Sequence, residues 1–451
     1  MKKKVLCIMT TIIMLASLLA GCSGSSGSNQ GQSSTSSDKG TNSTDQSPVT
    51  IKFLNWEKPA VYQPAIDAFE KKFPNIKVKY IPIVENDSNE TLKKIDIMYA
   101  SDEDFDVFSL NSTPNFSQRA SNDMLEPLDD YLKAEGVQYE DVYKAEQMKY
   151  ENKRYSLPGK FGPWFILMNK DQLDEAGLSV PTSWTWDEFR DYSKKLTKGE
   201  GPNKRYGTFF HTWKDYFLLR LYSSPENQGI MTDDGTKLNN DNPLMKESLE
   251  LRYNMEYADH SATPYQDVVS QKIPYRDAYF QGKASMIPTG PWMISEAGGT
   301  DKIPATFHSA FAPWPKNNAS DENYSFGLAD SLVISSRSKH KQESYEFLRF
   351  LSTEGMSLTK QLSAWKNADL NQEVDAIISS TMSPEMIDKS SLMNTLSVSK
   401  LPNPPTAVSY SADLEKAYIA EAEKYILGNS DIDTTMKNIK ENLQKIIDAN
   451  Q

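Results

Sequence analysis

The chain has 451 residues, of which 49 are basic and 61 acidic, and its formal net charge is −12. This length exceeds one small domain, and 38% hydrophobic residues are enough to build sizeable cores, which excludes a wholly disordered chain. The acidic balance argues against nucleic acid or an anionic membrane as the main partner of the folded part. Both cysteines, Cys7 and Cys22, precede residue 23, which excludes a disulfide framework, a zinc–cysteine cluster and a cysteine nucleophile in the rest of the chain.

The N-terminus has the pattern of a secretory signal over residues 1–21. Three lysines at 2–4 precede an apolar run over 5–20, which is shorter than the ~20 residues that a permanent membrane-spanning helix needs. The stretch Leu19-Ala20-Gly21-Cys22 resembles a bacterial lipobox, in which the cysteine thiol receives a diacylglycerol and the signal peptidase cuts before it. The alternative is an uncleaved anchor with an incidental cysteine. Residues 22–47 are mostly Ser, Gly, Thr, Asn and Gln, which predicts a flexible tether between lipidated Cys22 and a domain outside the cytoplasm.

The first part of the folded chain alternates strands and helices. The patterns predict a strand from Val49, a helix over 61–73, a strand over 76–83, a helix over 88–100 and a strand over 105–110. This order is typical of an α/β unit with a largely parallel sheet, whose ligands bind beyond the carboxyl ends of the strands. Those ends carry Trp56 and Glu57 after the first strand, and Asn111 and Ser112 after the third.

The remainder of the chain is mixed and ends in helices. Strands are predicted at 155–158, 164–169, 284–292, 307–315 and 327–335. Helices are predicted at 170–178, 186–196, 207–230, 244–258, 274–282, 340–352, 354–365, 371–380, 411–427 and 431–449. Thr185 and Glu188 have the spacing of a capping box at the start of one helix. No period of 20–50 residues repeats, which argues against solenoids and propellers.

Four blocks of sequence, taken in order, resemble one family. They are residues 68–78 (AFEKKFPNIKV), 159–189 (GKFGPWFILMNKDQLDEAGLSVPTSWTWDEF), 280–292 (FQGKASMIPTGPW) and 331–353 (SLVISSRSKHKQESYEFLRFLST). Together they resemble the extracellular solute-binding proteins of ABC importers, in the branch of the maltodextrin-binding proteins. The resemblance covers residues 49–450. It implies a two-lobe periplasmic-binding-protein-like α/β fold that closes on its ligand about a hinge.

The same resemblance implies how the chain is organised and what it works with. One lobe would comprise residues 48–160 and 322–352, and the other 163–318 and 355–451. The partners would be a sugar ligand, two membrane permease subunits and a cytoplasmic ATPase, with the membrane reached through the lipid anchor. We expect a monomer with no enzymatic activity, no cofactor and no metal, since the four histidines lack the spacing of metal ligands.

A sugar presents apolar C–H faces and a rim of hydroxyls, which suit aromatic rings and polar or charged side chains respectively. The resemblance places Trp292, in a Gly-Pro-Trp turn, against a sugar face, and it gives Tyr410 the place of another stacking aromatic. The other candidate ligand-binding residues follow strand ends or lie in an aromatic segment: Trp56, Glu57, Asn111, Ser112, Trp213 and Asp330.

Each candidate residue also has a structural interpretation. The aromatic residues can be core residues, and Asn111 and Ser112 can cap a turn. Lys160 and Phe161 lie at the predicted crossover, where a hinge role competes with ligand contact. Trp184, Trp186 and Trp314 are predicted to be structural, and Trp365 is left open.

One departure from the family pattern concerns the ligand. The maltodextrin-binding protein has an Asp-Arg pair after its third strand, whereas this chain has the uncharged Ser112-Thr113-Pro114-Asn115. This difference argues against maltose but not against other sugars.

Three hypotheses compete with a sugar-binding protein. They are the same fold with a polyamine, a peptide or another solute, a secreted glycosidase with two carboxylates, and a surface adhesin. No glycosidase signature, Gly-x-Ser-x-Gly or Walker motif occurs in the chain.

Overall fold

The computed structural model describes residues 48–300, 302–327 and 330–450. The predicted signal peptide (1–21), the lipidation site Cys22 and the tether (22–47) lie outside the described residues. These described residues form one compact unit. In the part that the structure describes, every helix is either too short or too polar to cross a membrane.

The described chain consists of short strands interspersed with helices. Its strands are β1 (Val49–Asn55), β2 (Ile76–Pro82), β3 (Val107–Leu110), β4 (Lys149–Tyr150), β5 (Lys153–Arg154), β6 (Ser156–Pro158), β7 (Phe165–Asn169), β8 (Tyr206–Thr208), β9 (Ala284–Thr289), β10 (Ser309–Pro313) and β11 (Ser331–Ile334). Its α-helices are α1 (Pro59–Lys72), α2 (Ser88–Ala100), α3 (Thr113–Ser121), α4 (Asp129–Glu135), α5 (Tyr139–Val142), α6 (Lys170–Glu175), α7 (Trp186–Leu196), α8 (Pro243–Tyr253), α9 (Tyr265–Gln271), α10 (Tyr275–Phe280), α11 (Ile294–Ala297), α12 (Lys341–Phe350), α13 (Met356–Leu358), α14 (Leu370–Ser379), α15 (Lys389–Val398), α16 (Ser411–Ile426) and α17 (Ile432–Asp448).

The first lobe is built on a five-stranded sheet of order β2-β1-β3-β11-β6. Strand β1 pairs in parallel with β2 and β3, and helices α1 and α2 provide the crossovers. Strand β11 enters from much later in the chain and runs antiparallel to both β3 and β6. All side chains of β3 and β11 are buried, as expected for central strands that are covered on both faces. The predicted parallel α/β unit is therefore confirmed for β1, β2 and β3.

The second lobe is built on a four-stranded sheet of order β10-β7-β9-β8. Strand β7 is antiparallel to β10 and β9, and β8 is parallel to β9. The predicted structural role of three tryptophans is confirmed here, because Trp184, Trp186 and Trp314 are only 3%, 0% and 1% exposed. Each indole N–H donates to an oxygen inside the core, which satisfies the polar atom of a buried ring.

Three chain segments lie side by side where the two sheets meet. The backbone N–H of Asp330 donates to the carbonyl of Lys160 at 3.0 Å, and that of Phe161 donates to Leu362 at 2.9 Å. Residues 159–164, 325–327, Asp330 and 361–366 therefore lie together between the lobes, as the resemblance implies for hinge segments. Met356 and Ala364 still pack in the core of the first lobe, beyond the predicted lobe boundary at 355.

Two predicted helices are wrong. Residues 207–230 do not form an aromatic helix, because the chain continues from β8 into two 3₁₀ turns at Lys214–Phe217 and Leu221–Ser223. Aromatic residues are modest helix formers, and here the phenylalanine and tyrosine rings, though not the Trp213 ring, are buried by their own tertiary contacts rather than by a helical stripe. The helix predicted over 354–365 is reduced to α13, since Lys360 adopts a left-handed conformation with φ of 56°. The capping box of Thr185 and Glu188 is confirmed.

Candidate functional site

Asn55 shapes the turn that follows β1. Its side-chain oxygen accepts from the backbone N–H groups of Trp56 at 2.7 Å and Glu57 at 2.9 Å. Its amide donates to Ser109 Oγ on β3 at 2.7 Å, which ties together the ends of the two parallel strands. Asparagine commonly holds such turns because its short side chain reaches the backbone two residues on. Asn55 ends the first predicted strand and was not among the predicted ligand-binding residues, although its turn directs two of them, Trp56 and Glu57.

A charged triad of Glu57, Lys160 and Asp330 occupies the end of the first sheet. Lys160 Nζ lies 2.8 Å from Glu57 Oε1 and 3.4 Å from Asp330 Oδ2. The three side chains are 16% (Lys160), 18% (Glu57) and 13% (Asp330) exposed. Lys160 also lies 5.8 Å from the centre of the Trp56 ring, within the range of a cation–π contact. The structure thus brings together Trp56, Glu57 and Asp330 around a lysine from the crossover.

Burial and mutual charge determine the protonation of the triad. Burial raises the pKa of Asp330 to about 6. The positive charge of Lys160 opposes this rise, and the negative charge of Glu57 adds to it. Burial would also raise the pKa of Glu57, but Lys160 and then Arg276 lower it below its ordinary value. The pKa of Lys160 is raised despite burial, because two carboxylates flank it. At neutral pH the triad therefore carries one excess negative charge.

An aromatic cluster of the second lobe consists of Trp164, His211, Trp213, Tyr275 and Trp292. The rings of Trp164 and Trp292 are 5.3 Å apart and edge-on, and His211 lies 4.1 Å from Trp213. Trp213 is 5.7 Å from Tyr275, whose hydroxyl accepts from Trp292 Nε1 at 3.1 Å. Trp213 and Trp292 are partly exposed, whereas Trp164 is buried behind them. Two of the predicted ligand-binding tryptophans thus share one aromatic surface.

The aromatic cluster is coupled electrostatically to the charged triad. Arg276, next to Tyr275, pairs with both oxygens of Glu296 at 2.7 Å, and its charge helps to lower the pKa of Glu57. Burial raises the pKa of Tyr275 to about 12, against the charges of Arg276 and Lys160. Burial and nearby arginines lower the pKa of His211 to about 3, so its ring stays neutral at physiological pH.

A cavity lined by another set of residues lies between the lobes. Phe326 belongs to its lining, and the Phe326 ring is edge-on to Trp164 at 5.4 Å and stacked on Tyr222 at 4.3 Å. The cavity is lined from the first lobe by Thr113 and Pro114, which follow β3, and from the second lobe by residues 401–406. Residues of both lobes and of the crossover thus enclose a single space.

Three of the predicted residues, Asn111, Ser112 and Tyr410, are not among those that line the cavity. Ser112 caps α3 by accepting from the backbone of Asn115, and Asn111 exchanges hydrogen bonds with Ser88 and Asn115. Both side chains have the turn-capping contacts that were their alternative interpretation. Tyr410 is 9% exposed and packs in the core of the second lobe rather than lining the cavity. Trp164 and Tyr275 were not among the predicted ligand-binding residues, although Trp164 lies within the block 159–189 that carries the resemblance.

Comparison with known proteins supports the same family. The family model of bacterial extracellular solute-binding proteins matches residues 55–357, which is more than half of the chain. The chain belongs to this family. A relative, the multiple sugar-binding protein of Streptococcus mutans, is 25% identical over 324 residues, which cover 68% of this chain and 71% of the relative. The solute-binding family works outside the cytoplasm and its members are binding proteins.

Solved structures share the two-lobe fold. An ABC substrate-binding protein of Listeria monocytogenes in complex with cycloalternan superposes with a TM-score of 0.72 at 22% identity, covering 89% of this chain and 99% of that one. The UgpB protein of Mycobacterium tuberculosis in complex with glycerophosphocholine gives a TM-score of 0.69 at 17% identity, covering 90% of this chain and 99% of that one. At these identities the likeness establishes the fold, so the ligand must be argued from the site.

Proposed function

We propose that this solute-binding protein captures a sugar, and specifically an oligosaccharide, between its lobes and delivers it to an ABC permease. The observation that carries the proposal is the aromatic cluster beside the charged triad. Trp213 and Trp292 offer ring faces to the C–H faces of sugar rings. Glu57 and Asp330 offer carboxylate oxygens to sugar hydroxyls, which are the charge-assisted bonds that fix orientation.

The charge of the site distinguishes among solutes. The triad has one cation for two carboxylates, and Arg276 is already paired with Glu296. An anionic solute would meet this excess negative charge in a partly dehydrated site, where repulsion is strong. An anionic phosphate ester is therefore disfavoured. Neutral sugars fit better, and a polyamine is the competing ligand that the same charge would admit.

Binding, rather than hydrolysis, is the proposed outcome of ligand capture. Glu57 and Asp330 both pair with Lys160, and with a pKa of about 6 for Asp330 and a lowered pKa for Glu57 both are mainly carboxylates at pH 7, so neither is held there as a protonated general acid. Incubating the protein with a bound oligosaccharide and recovering the sugar by chromatography tests this point. Intact sugar after prolonged incubation is expected, and shorter products would favour the glycosidase hypothesis.

Sugar affinity is expected to fall about tenfold between pH 7 and pH 5. The pKa of Asp330 is about 6, so its carboxylate takes up a proton in this interval and ceases to accept from a hydroxyl. His211, with a pKa near 3, does not titrate there. Titration calorimetry across this range, with the Asp330→Asn variant as the control, checks the prediction. The variant should bind weakly without the pH dependence, and an equal slope in both proteins would contradict a role for Asp330.

We also propose that the chain is a lipoprotein anchored through Cys22. The basic start, the apolar run and the Leu-Ala-Gly-Cys sequence support this proposal. The Cys22→Ser variant is expected to be released from the membrane fraction while its sugar affinity stays unchanged. Metabolic labelling with a fatty acid checks the anchor directly. Continued labelling of the variant would overturn the proposal, and Cys7→Ser serves as the matched control that should remain labelled.

A further inference from the structure

Residues 399–408, which we call the strap, connect α15 to α16 as an irregular segment. Both helices belong to the second lobe, because Leu392 of α15 and Leu414 of α16 are buried in its cores. The strap contains three prolines, at 402, 404 and 405. Since proline fixes φ and stiffens an extended chain, the strap has little slack between its two ends.

The start of the strap is bonded to the chain that leads into the hinge. The backbone N–H of Lys400 donates to the carbonyl of Asn323 at 2.8 Å, and the N–H of Ser325 donates to the carbonyl of Lys400 at 2.9 Å. Leu401 packs directly on Gly327, where an added Cβ would lie only 2.3 Å from Leu401 Cδ2. The strap therefore begins against one of the hinge segments.

The far part of the strap inserts one residue into the first lobe. Ala407 is only 4% exposed and belongs to the core cluster that contains Phe116, Met148 and Tyr155. Its backbone N–H also donates to the carbonyl of Lys149 in β4 at 3.4 Å. A segment whose two ends lie in the second lobe thus contributes a buried side chain to the first.

The residues on either side of Ala407 contact the second lobe. The backbone N–H of Thr406 donates to the carbonyl of Asp233 at 2.8 Å. Val408 packs against the core of the second lobe. Ala407 is therefore held in the first lobe by a chain that is fixed to the second lobe before and after it.

We infer that the strap limits how far the two lobes open in the absence of ligand. Opening about the hinge separates the lobes, so that Ala407 must leave its buried place or the proline-rich strap must lengthen. The same opening breaks a second contact between the lobes, in which Ser411 Oγ of α16 donates to Ser117 Oγ of α3 at 3.4 Å. The inference goes beyond the proposed function and does not depend on the identity of the ligand.

The distance between two spin labels measures the opening without any ligand. A chain with Cys7→Ser and Cys22→Ser has no cysteine, so introduced cysteines can be labelled selectively. Lys94→Cys in α2 and Lys437→Cys in α17 place labels at exposed positions of the first and the second lobe. In this labelled chain, Ala407→Asp puts a carboxylate among apolar side chains, which is unfavourable and should detach the strap. The mean distance from double electron–electron resonance is expected to lengthen by more than about 2 Å.

Two further variants make the test decisive. Ser409→Asp is the matched control, because it adds the same carboxylate at an exposed position and should leave the distance unchanged. A folded Ala407→Asp variant with the wild-type distance would overturn the inference. If that variant does not fold, Pro404→Gly combined with Pro405→Gly decides, since it adds slack and leaves Ala407 apolar. Longer or broader distances then support the inference and wild-type distances overturn it, and neither result bears on sugar binding.

Discussion

Replacement of Lys160 by methionine is expected to lower the free energy of unfolding by about 3 kcal/mol at pH 7. The lysine separates Glu57 and Asp330 and satisfies both carboxylates in a site where all three side chains are less than a fifth exposed. Without it, two carboxylates lie close together in a poorly hydrated site, and their repulsion is no longer offset. Denaturant titration of the wild type and the variant, monitored by tryptophan fluorescence, measures the difference.

The loss of stability in Lys160→Met should be smaller at pH 5. With the lysine removed, burial and mutual repulsion hold the pKa values of Glu57 and Asp330 above their unfolded values, so the folded variant binds protons more tightly. Its stability is then greatest at low pH and decreases as pH rises through the folded pKa values. Lys58→Met is the matched control, because Lys58 follows Glu57 but is exposed and should tolerate the change. Two results would contradict this role of Lys160 in the triad: equal losses of unfolding free energy in the two variants, or a loss in Lys160→Met that is the same at pH 5 and pH 7.

Replacement of Trp292 by alanine is expected to weaken sugar binding by about 1–3 kcal/mol. The ring is partly exposed, belongs to the aromatic cluster and donates to Tyr275, so its removal takes away a positioned stacking face. Calorimetry with the preferred sugar measures the loss. Trp292→Phe is the matched control, since it keeps an aromatic face but loses the hydrogen bond, and it should retain most of the affinity. Wild-type affinity in a folded Trp292→Ala variant would remove this residue from the site.

The sequence predicted the elements whose patterns are local. Strands β1 and β2 and helix α2 were predicted from β-rich runs and helical spacing, which are set by neighbouring residues. In the structure Asp87 caps the start of α2. Trp56 and Glu57 were predicted because they follow a strand of a parallel sheet, and ligands of such sheets bind beyond the carboxyl ends of the strands. These features needed no knowledge of distant contacts.

The parts that the sequence did not predict depend on tertiary contacts. The segment 207–230 has the apolar content of a helix, but its rings are divided between the aromatic cluster and the core of the second lobe. Lys160 was expected at the crossover, yet only the fold reveals that it joins Glu57, 103 residues away, to Asp330. Tyr410 occupies the position at which the resemblance implies an aromatic ring stacked on the sugar. Its ring instead packs in the core of the second lobe, immediately before α16.

The central claim, that the space between the lobes binds a sugar, is tested most directly by a thermal-shift screen of the purified protein. The screen compares mono- and oligosaccharides and glycosides with polyamines and short peptides. A ligand that binds only the native state adds about 2.7 kcal/mol at a concentration of 100 times its Kd, which raises the unfolding midpoint measurably. We expect the unfolding midpoint to rise with one series of sugars alone, and we expect this rise to be abolished in Trp292→Ala. A shift with polyamines or peptides, and none with sugars, would contradict it.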